Sequence, residues 1–64
     1  MVTVNGENYD YAGLSVSEML DKLGFFSDRI AVEINFEIVS KVNYASYILC
    51  DDDVVEVVSF VGGG

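Results

Sequence analysis

Asp53-Val54-Val55-Glu56-Val57-Val58-Ser59-Phe60 is the strongest strand signal in the chain, and its reading decides the fold. Alternation puts Val55, Val57 and Ser59 on one face and Val54, Glu56, Val58 and Phe60 on the other. Valine on both faces is expected of a central strand, one able to pair in parallel with another strand. Val61-Gly62-Gly63-Gly64 follows it directly. Three successive glycines cannot pack or pair usefully, so they are expected to form a thin flexible thread with a carboxylate at its tip. The expected organisation is a folded body over residues 1–60 and a glycine tail over 61–64.

The rest of the body can be placed around that strand. Met1-Val2-Thr3-Val4 alternates, with Val2 and Val4 on one face. Asn5-Gly6 after it is the strongest short hairpin signal, since both turn residues need positive φ. The return strand is Glu7-Asn8-Tyr9-Asp10-Tyr11. Ser15-Val16-Ser17-Glu18 reads as a capping box at a helix start. Val16, Met19, Leu20 and Leu23 then fall on one helical stripe, and Gly24 suits the left-handed position after the helix. Such a short helix is unstable alone and must lie on a sheet. Ile30-Ala31-Val32-Glu33-Ile34 and Glu37-Ile38-Val39 read as strands about an Asn35-Phe36 turn. Tyr44, Tyr47 and Ile48 sit at helical spacing, which predicts one irregular helical turn between Asn43 and Leu49. Asp51-Asp52-Asp53 reads as a turn. The order β-β-α-β-β-β predicts an α+β fold of the ubiquitin-like β-grasp kind: a mixed sheet of about five strands with one main helix across it.

Composition narrows the function. Sixty-four residues make one domain at most. A chain of this size buries only about 60% of its unfolded surface, so its stability is modest. Cys50 is the only cysteine and histidine is absent, which excludes an internal disulfide and leaves no basis for a zinc site or a His-based catalyst. Eleven acidic against three basic residues give a net charge of −8. That charge disfavours nucleic acid and anionic membrane, and steers the chain towards basic protein surfaces; solubility alone accounts for it equally well. No apolar run could span a bilayer and no signal-peptide pattern opens the chain, so it reads as cytoplasmic. Ser15, Ser17 and Ser27 have no histidine to activate them. Three consecutive aspartates lack the alternating spacing of a calcium loop. Cys50 reads as a small buried residue. The chain is therefore expected to catalyse nothing alone and to bind no metal or cofactor.

The tail remains. Glycine has no Cβ, so the thread can enter a channel that any side chain would obstruct. A carboxylate is a poor acyl donor until activated, so a partner must supply that chemistry. Ordering each tail residue costs roughly 1–2 kcal/mol, so a docking surface on the body is expected as well. Glu56 should face water, which would expose Val58 and Phe60 beside it as docking residues. The alternative is that a neighbouring strand or the helix covers them.

These pieces together resemble the ThiS family of sulfur carriers in thiamin biosynthesis. The resemblance covers essentially the whole chain. It rests on Val2-Thr3-Val4-Asn5-Gly6, Val16-Ser17-Glu18-Met19-Leu20, Ala31-Val32-Glu33-Ile34-Asn35, Glu37-Ile38-Val39, residues 53–58 and the terminal Gly63-Gly64. Two positions depart from the family's pattern: Phe36 stands where a glycine or polar turn residue is usual, and Asp52 where the family has glycine. The resemblance implies that an E1-like adenylyltransferase (ThiF type) uses ATP to adenylate the Gly64 carboxylate. Sulfur from a cysteine desulfurase then displaces AMP, and thiazole synthase (ThiG type) takes sulfur from the Gly64 thiocarboxylate. Gly62 and Gly63 would give clearance. The same features are compatible with a small subunit of molybdopterin synthase, another β-grasp sulfur carrier, a ubiquitin-like protein modifier, or an interaction domain with an inert tail. The absence of proline before the glycines favours the thiazole pathway over molybdopterin synthase.

Overall fold

The computed structural model describes residues 1–26 and 28–60. The predicted tail, Val61 with Gly62, Gly63 and Gly64, lies outside the described residues, as does Ser27. The elements are β1 (Val2–Val4), β2 (Glu7–Tyr9), α1 (Val16–Leu23), β3 (Ile30–Ile34), β4 (Glu37–Val39), a 3-10 turn at Lys41–Asn43 and β5 (Val54–Ser59). One five-stranded sheet runs in the order β2-β1-β5-β3-β4. β5 is central, as its valine-rich pattern requires. It pairs in parallel with β1 (Thr3 opposite Val54, Val4 opposite Val55) and antiparallel with β3 (Ile30 opposite Ser59 through Ile34 opposite Val55). This is the β-grasp arrangement.

Local chemistry explains the elements. Asn5 and Gly6 take φ of 49° and 84°, and close the β1–β2 hairpin. The Ser15 hydroxyl accepts from the Glu18 amide at 3.1 Å, and the Ser15 amide donates to the Glu18 carboxylate at 2.9 Å. The Ser15 amide, and after it the Ser15 hydroxyl, hold the Glu18 carboxyl below its usual pKa. Gly24 ends the helix in a left-handed conformation at φ 80°. Val16, Met19 and Leu20 are buried against Val2, Val4, Val32, Ile34, Val39, Val55 and Val57 of the sheet, with Tyr44 and Leu49 completing the core. Each such side chain contributes about 1.5–3 kcal/mol on full burial. Helix packing is thus confined to one side of the sheet.

Two expectations are corrected and one is narrowed. β2 stops at Tyr9 rather than Tyr11: Val2 already pairs with Tyr9, and Tyr11 leaves the sheet to stack on the Tyr9 ring at 4.8 Å between centroids. The irregular helical turn expected between Asn43 and Leu49 is present in the first half of that span: the Ser46 and Tyr47 amides both donate to the Asn43 carbonyl, at 3.1 and 2.9 Å, directly after a 3-10 turn at Lys41–Asn43. Residues 47–49 instead run beside residues 13–16. The Val16 amide donates to the Tyr47 carbonyl at 2.9 Å, and the Leu49 amide to the Leu14 carbonyl at 2.8 Å. Leu49 is buried there and Ile48 is exposed. Cys50, next in the alternation, is exposed and not buried.

Candidate docking face and tail root

β5 and Phe60 directly precede residues 61–64 in the sequence, so the features that fix β5 fix the end of the described body. Its inward face carries Val55 and Val57, which pack into the core. On the opposite face, Val58 is 56% and Phe60 51% exposed, as the alternation predicted. Neither the helix nor a neighbouring strand covers them. Phe60 is held at its backbone, its amide donating to the Arg29 carbonyl at 3.0 Å. Val54 and Ile38 are exposed as well, and the register puts Ile38 on this same open face, opposite Glu33.

Two turn asparagines hold β5 from its two sides. Asn5 accepts from the Val57 amide at 2.8 Å through its side-chain oxygen and donates to the Val57 carbonyl at 3.2 Å. Its side chain thereby extends the parallel pairing beyond Val4, where β1 itself has turned away. On the other side, the Asn35 side chain accepts from the Val54 amide at 3.0 Å and donates to the Asp53 carboxylate at 3.0 Å. The Asn35 amide also donates to the Val54 carbonyl at 2.8 Å. Sequence reasoning placed both asparagines as turn residues and missed this second role. Its available signal was that each turn carries asparagine where glycine would satisfy the backbone.

The Asp51-Asp52-Asp53 turn leads into β5. Asp52 is left-handed at φ 72°, as its substitution for glycine requires. The Asp53 carboxylate accepts from the Cys50 amide at 2.8 Å, which ties down the turn. Asp51 is paired with the amino group of Met1, which lowers the Asp51 pKa. Phe36, the other departure, is left-handed at φ 70° and 89% exposed. Among the described residues no cluster of three or more His, Cys, Asp or Glu could hold a metal ion. No helix among them is long and apolar enough to cross a membrane. The roles expected of Gly62, Gly63 and Gly64 concern atoms outside the described residues.

Comparison with known proteins places this geometry. The sequence model of the ThiS family matches residues 2–64. The chain belongs to the ThiS family. Its sequence is 35% identical over 66 residues to the sulfur carrier protein ThiS of Bacillus subtilis, covering the whole of both chains. It is 42% identical over 64 residues to a thiazole synthase of Paramagnetospirillum magneticum, covering 98% of this chain and 20% of that protein. The chain thus spans about a fifth of the length of the thiazole synthases it matches. A crystal structure of the thiamine biosynthesis protein ThiS from Geobacter metallireducens superposes with a TM-score of 0.80 at 33% identity, covering 98% of this chain and 97% of that one. The ThiS structure confirms the β-grasp sheet with its single helix.

Proposed function

We propose that the chain is a sulfur carrier of thiamin (thiazole) biosynthesis that works through the Gly64 carboxylate. An E1-like adenylyltransferase of the ThiF type docks the body and condenses that carboxylate with ATP. The outer sulfur of a cysteine desulfurase persulfide attacks the acyl adenylate and expels AMP, giving an acyl disulfide. A second thiol then attacks the desulfurase-side sulfur, forming a disulfide with it and leaving a thiocarboxylate on Gly64. Thiazole synthase then takes the sulfur. Gly62 and Gly63 allow the thread into the partner's channel, and Val58 and Phe60 dock the body beside the channel mouth. The chain acts as a protein co-substrate: the partner supplies ATP and all catalytic groups, and both meet in the cytoplasm.

The observation that carries this reading is the extent of the family match, which runs the length of the body and through Gly64. The resemblance to a fifth of each thiazole synthase supports that enzyme as the acceptor, since a segment like this chain is part of the same polypeptide there. The exposure of Val58 and Phe60 at the root of the tail supports their docking role. The deciding experiment is sulfur loading of a Gly64-deleted chain by adenylyltransferase, desulfurase, cysteine and ATP. Deletion should abolish loading and leave the circular dichroism spectrum unchanged. Retained loading would refute the terminal carboxylate as the sulfur site.

A further inference from the structure

The open sheet face has a feature that the sulfur chemistry leaves unused. Glu33 of β3 and Glu56 of β5 are direct cross-strand partners on it. Like charges directly opposite one another destabilise a sheet, and glutamate is itself a poor strand residue. Ile38 of β4 flanks Glu33 on the other side, so a row Ile38-Glu33-Glu56 crosses three strands. Ala31 opposite Val58 forms the next row on the same face. Among the described residues neither carboxylate takes part in an ion pair; the two salt bridges are Met1 with Asp51 and Lys41 with Asp28. Of the two lysines, Lys22 is on the helix and Lys41, in the 3-10 turn, pairs with Asp28. Two carboxylates are thus set side by side in an exposed apolar surface, and among the described residues neither salt bridge involves them.

We propose that this face receives a basic protein surface, with one arginine or lysine seated between Glu33 and Glu56 and apolar partner atoms against Ile38, Ala31 and Val58. The occupant is the activating partner, and this part of the inference rests on the carrier reading given above. Charge complementarity argues for a basic partner, since the chain as a whole carries a net charge of −8. The apolar surround argues for protein over a free cation: it excludes water around a charge pair and so strengthens it. Continuity argues for the same partner that takes the tail, because Val58 of this face lies two residues before Phe60 on the strand that leads to it.

The test compares the parent with a Glu33→Gln, Glu56→Gln double variant, measuring affinity for the purified ThiF-type adenylyltransferase at several salt concentrations. A matched control, Glu7→Gln with Asp21→Asn, makes the same change in net charge away from this face: Glu7 is opposite buried Val4 on the other side of the sheet, and Asp21 is on the helix. The double variant should bind at least about tenfold more weakly, with a flatter salt dependence, and the control should bind like the parent. The double variant should melt at the parent's temperature or above it, since the repulsion is gone. Equal affinity and salt slope in the double variant, with a parent that is loaded with sulfur, would overturn the pairing and spare the carrier reading. An equal loss in the control would also overturn it, by assigning the effect to the overall field. A parent that is neither bound nor loaded would overturn the carrier reading and this proposal with it.

Discussion

Replacing Asn5 separates two jobs that one residue performs. Its backbone is left-handed at φ 49°, and its side chain holds both polar groups of Val57 at 2.8 and 3.2 Å. Asn5→Gly keeps the turn and deletes only the clamp. Each bond contributes about 0.5–1.5 kcal/mol net, so their loss costs about 1–3 kcal/mol. The added freedom of glycine in the unfolded chain contributes less than about 1 kcal/mol more. Asn5→Ala removes the clamp and also leaves the left-handed conformation to a residue without the polar side chain that eases it for asparagine, which adds up to about 1–2 kcal/mol. In a domain of this size each 1 kcal/mol lowers the midpoint by about 4–8 °C, so the order of melting should be parent, then glycine, then alanine. Thermal unfolding followed by circular dichroism measures it. Hydrogen exchange adds a local readout: the Val57 amide should exchange faster in Asn5→Gly, while the Phe60 amide, bound to the Arg29 carbonyl, is less affected. An Asn5→Gly chain that melts with the parent and protects Val57 equally would refute the clamp as a support of β5.

Further outcomes follow from other sites. Phe36→Asn should raise stability by about 0.5–1 kcal/mol, since asparagine tolerates the left-handed conformation and the phenyl ring buries almost nothing; a lower unfolding midpoint in urea would show that the ring packs where the structure leaves it exposed. Phe60→Asp should weaken adenylyltransferase binding while the domain stays folded, and unfolding would place Phe60 in the core instead. Glu18 has a depressed pKa, so its contribution is present above its unfolded pKa and lost as pH falls through the folded one. The stability difference between the parent and Glu18→Gln, measured by urea unfolding from neutral pH to below about pH 4, should therefore shrink with acid; a difference that grows would reverse the assigned shift.

Much of the fold was legible because local and tertiary demands coincide. The alternation of β5, the Asn5-Gly6 turn, the Ser15–Glu18 capping box and Gly24 each specify a conformation that the surrounding structure also requires. Prediction failed where a distant partner decided the conformation. The helical spacing of Tyr44, Tyr47 and Ile48 holds for one turn as far as Tyr47, and then gives way to backbone bonds in which Val16 donates to Tyr47 and Leu49 donates to Leu14, holding residues 47–49 in an extended path. β2 ended early because the pairing register with β1 left Tyr11 nothing to pair with. Within the candidate site, the exposure of Val58 and Phe60 could be read from Glu56, which had to face water. The Glu33–Glu56 juxtaposition could not, because it depends on the register between strands far apart in sequence.

The claim that matters most concerns one carboxylate, and intact mass spectrometry reads it directly. The chain is incubated with adenylyltransferase, desulfurase, cysteine and ATP, then weighed whole and after fragmentation. The carrier reading requires a gain equal to one sulfur replacing one oxygen, localised to a fragment containing Gly64 and lost when thiazole synthase and its substrates are added. An unchanged mass, or a ladder of larger adducts on other proteins, would contradict it.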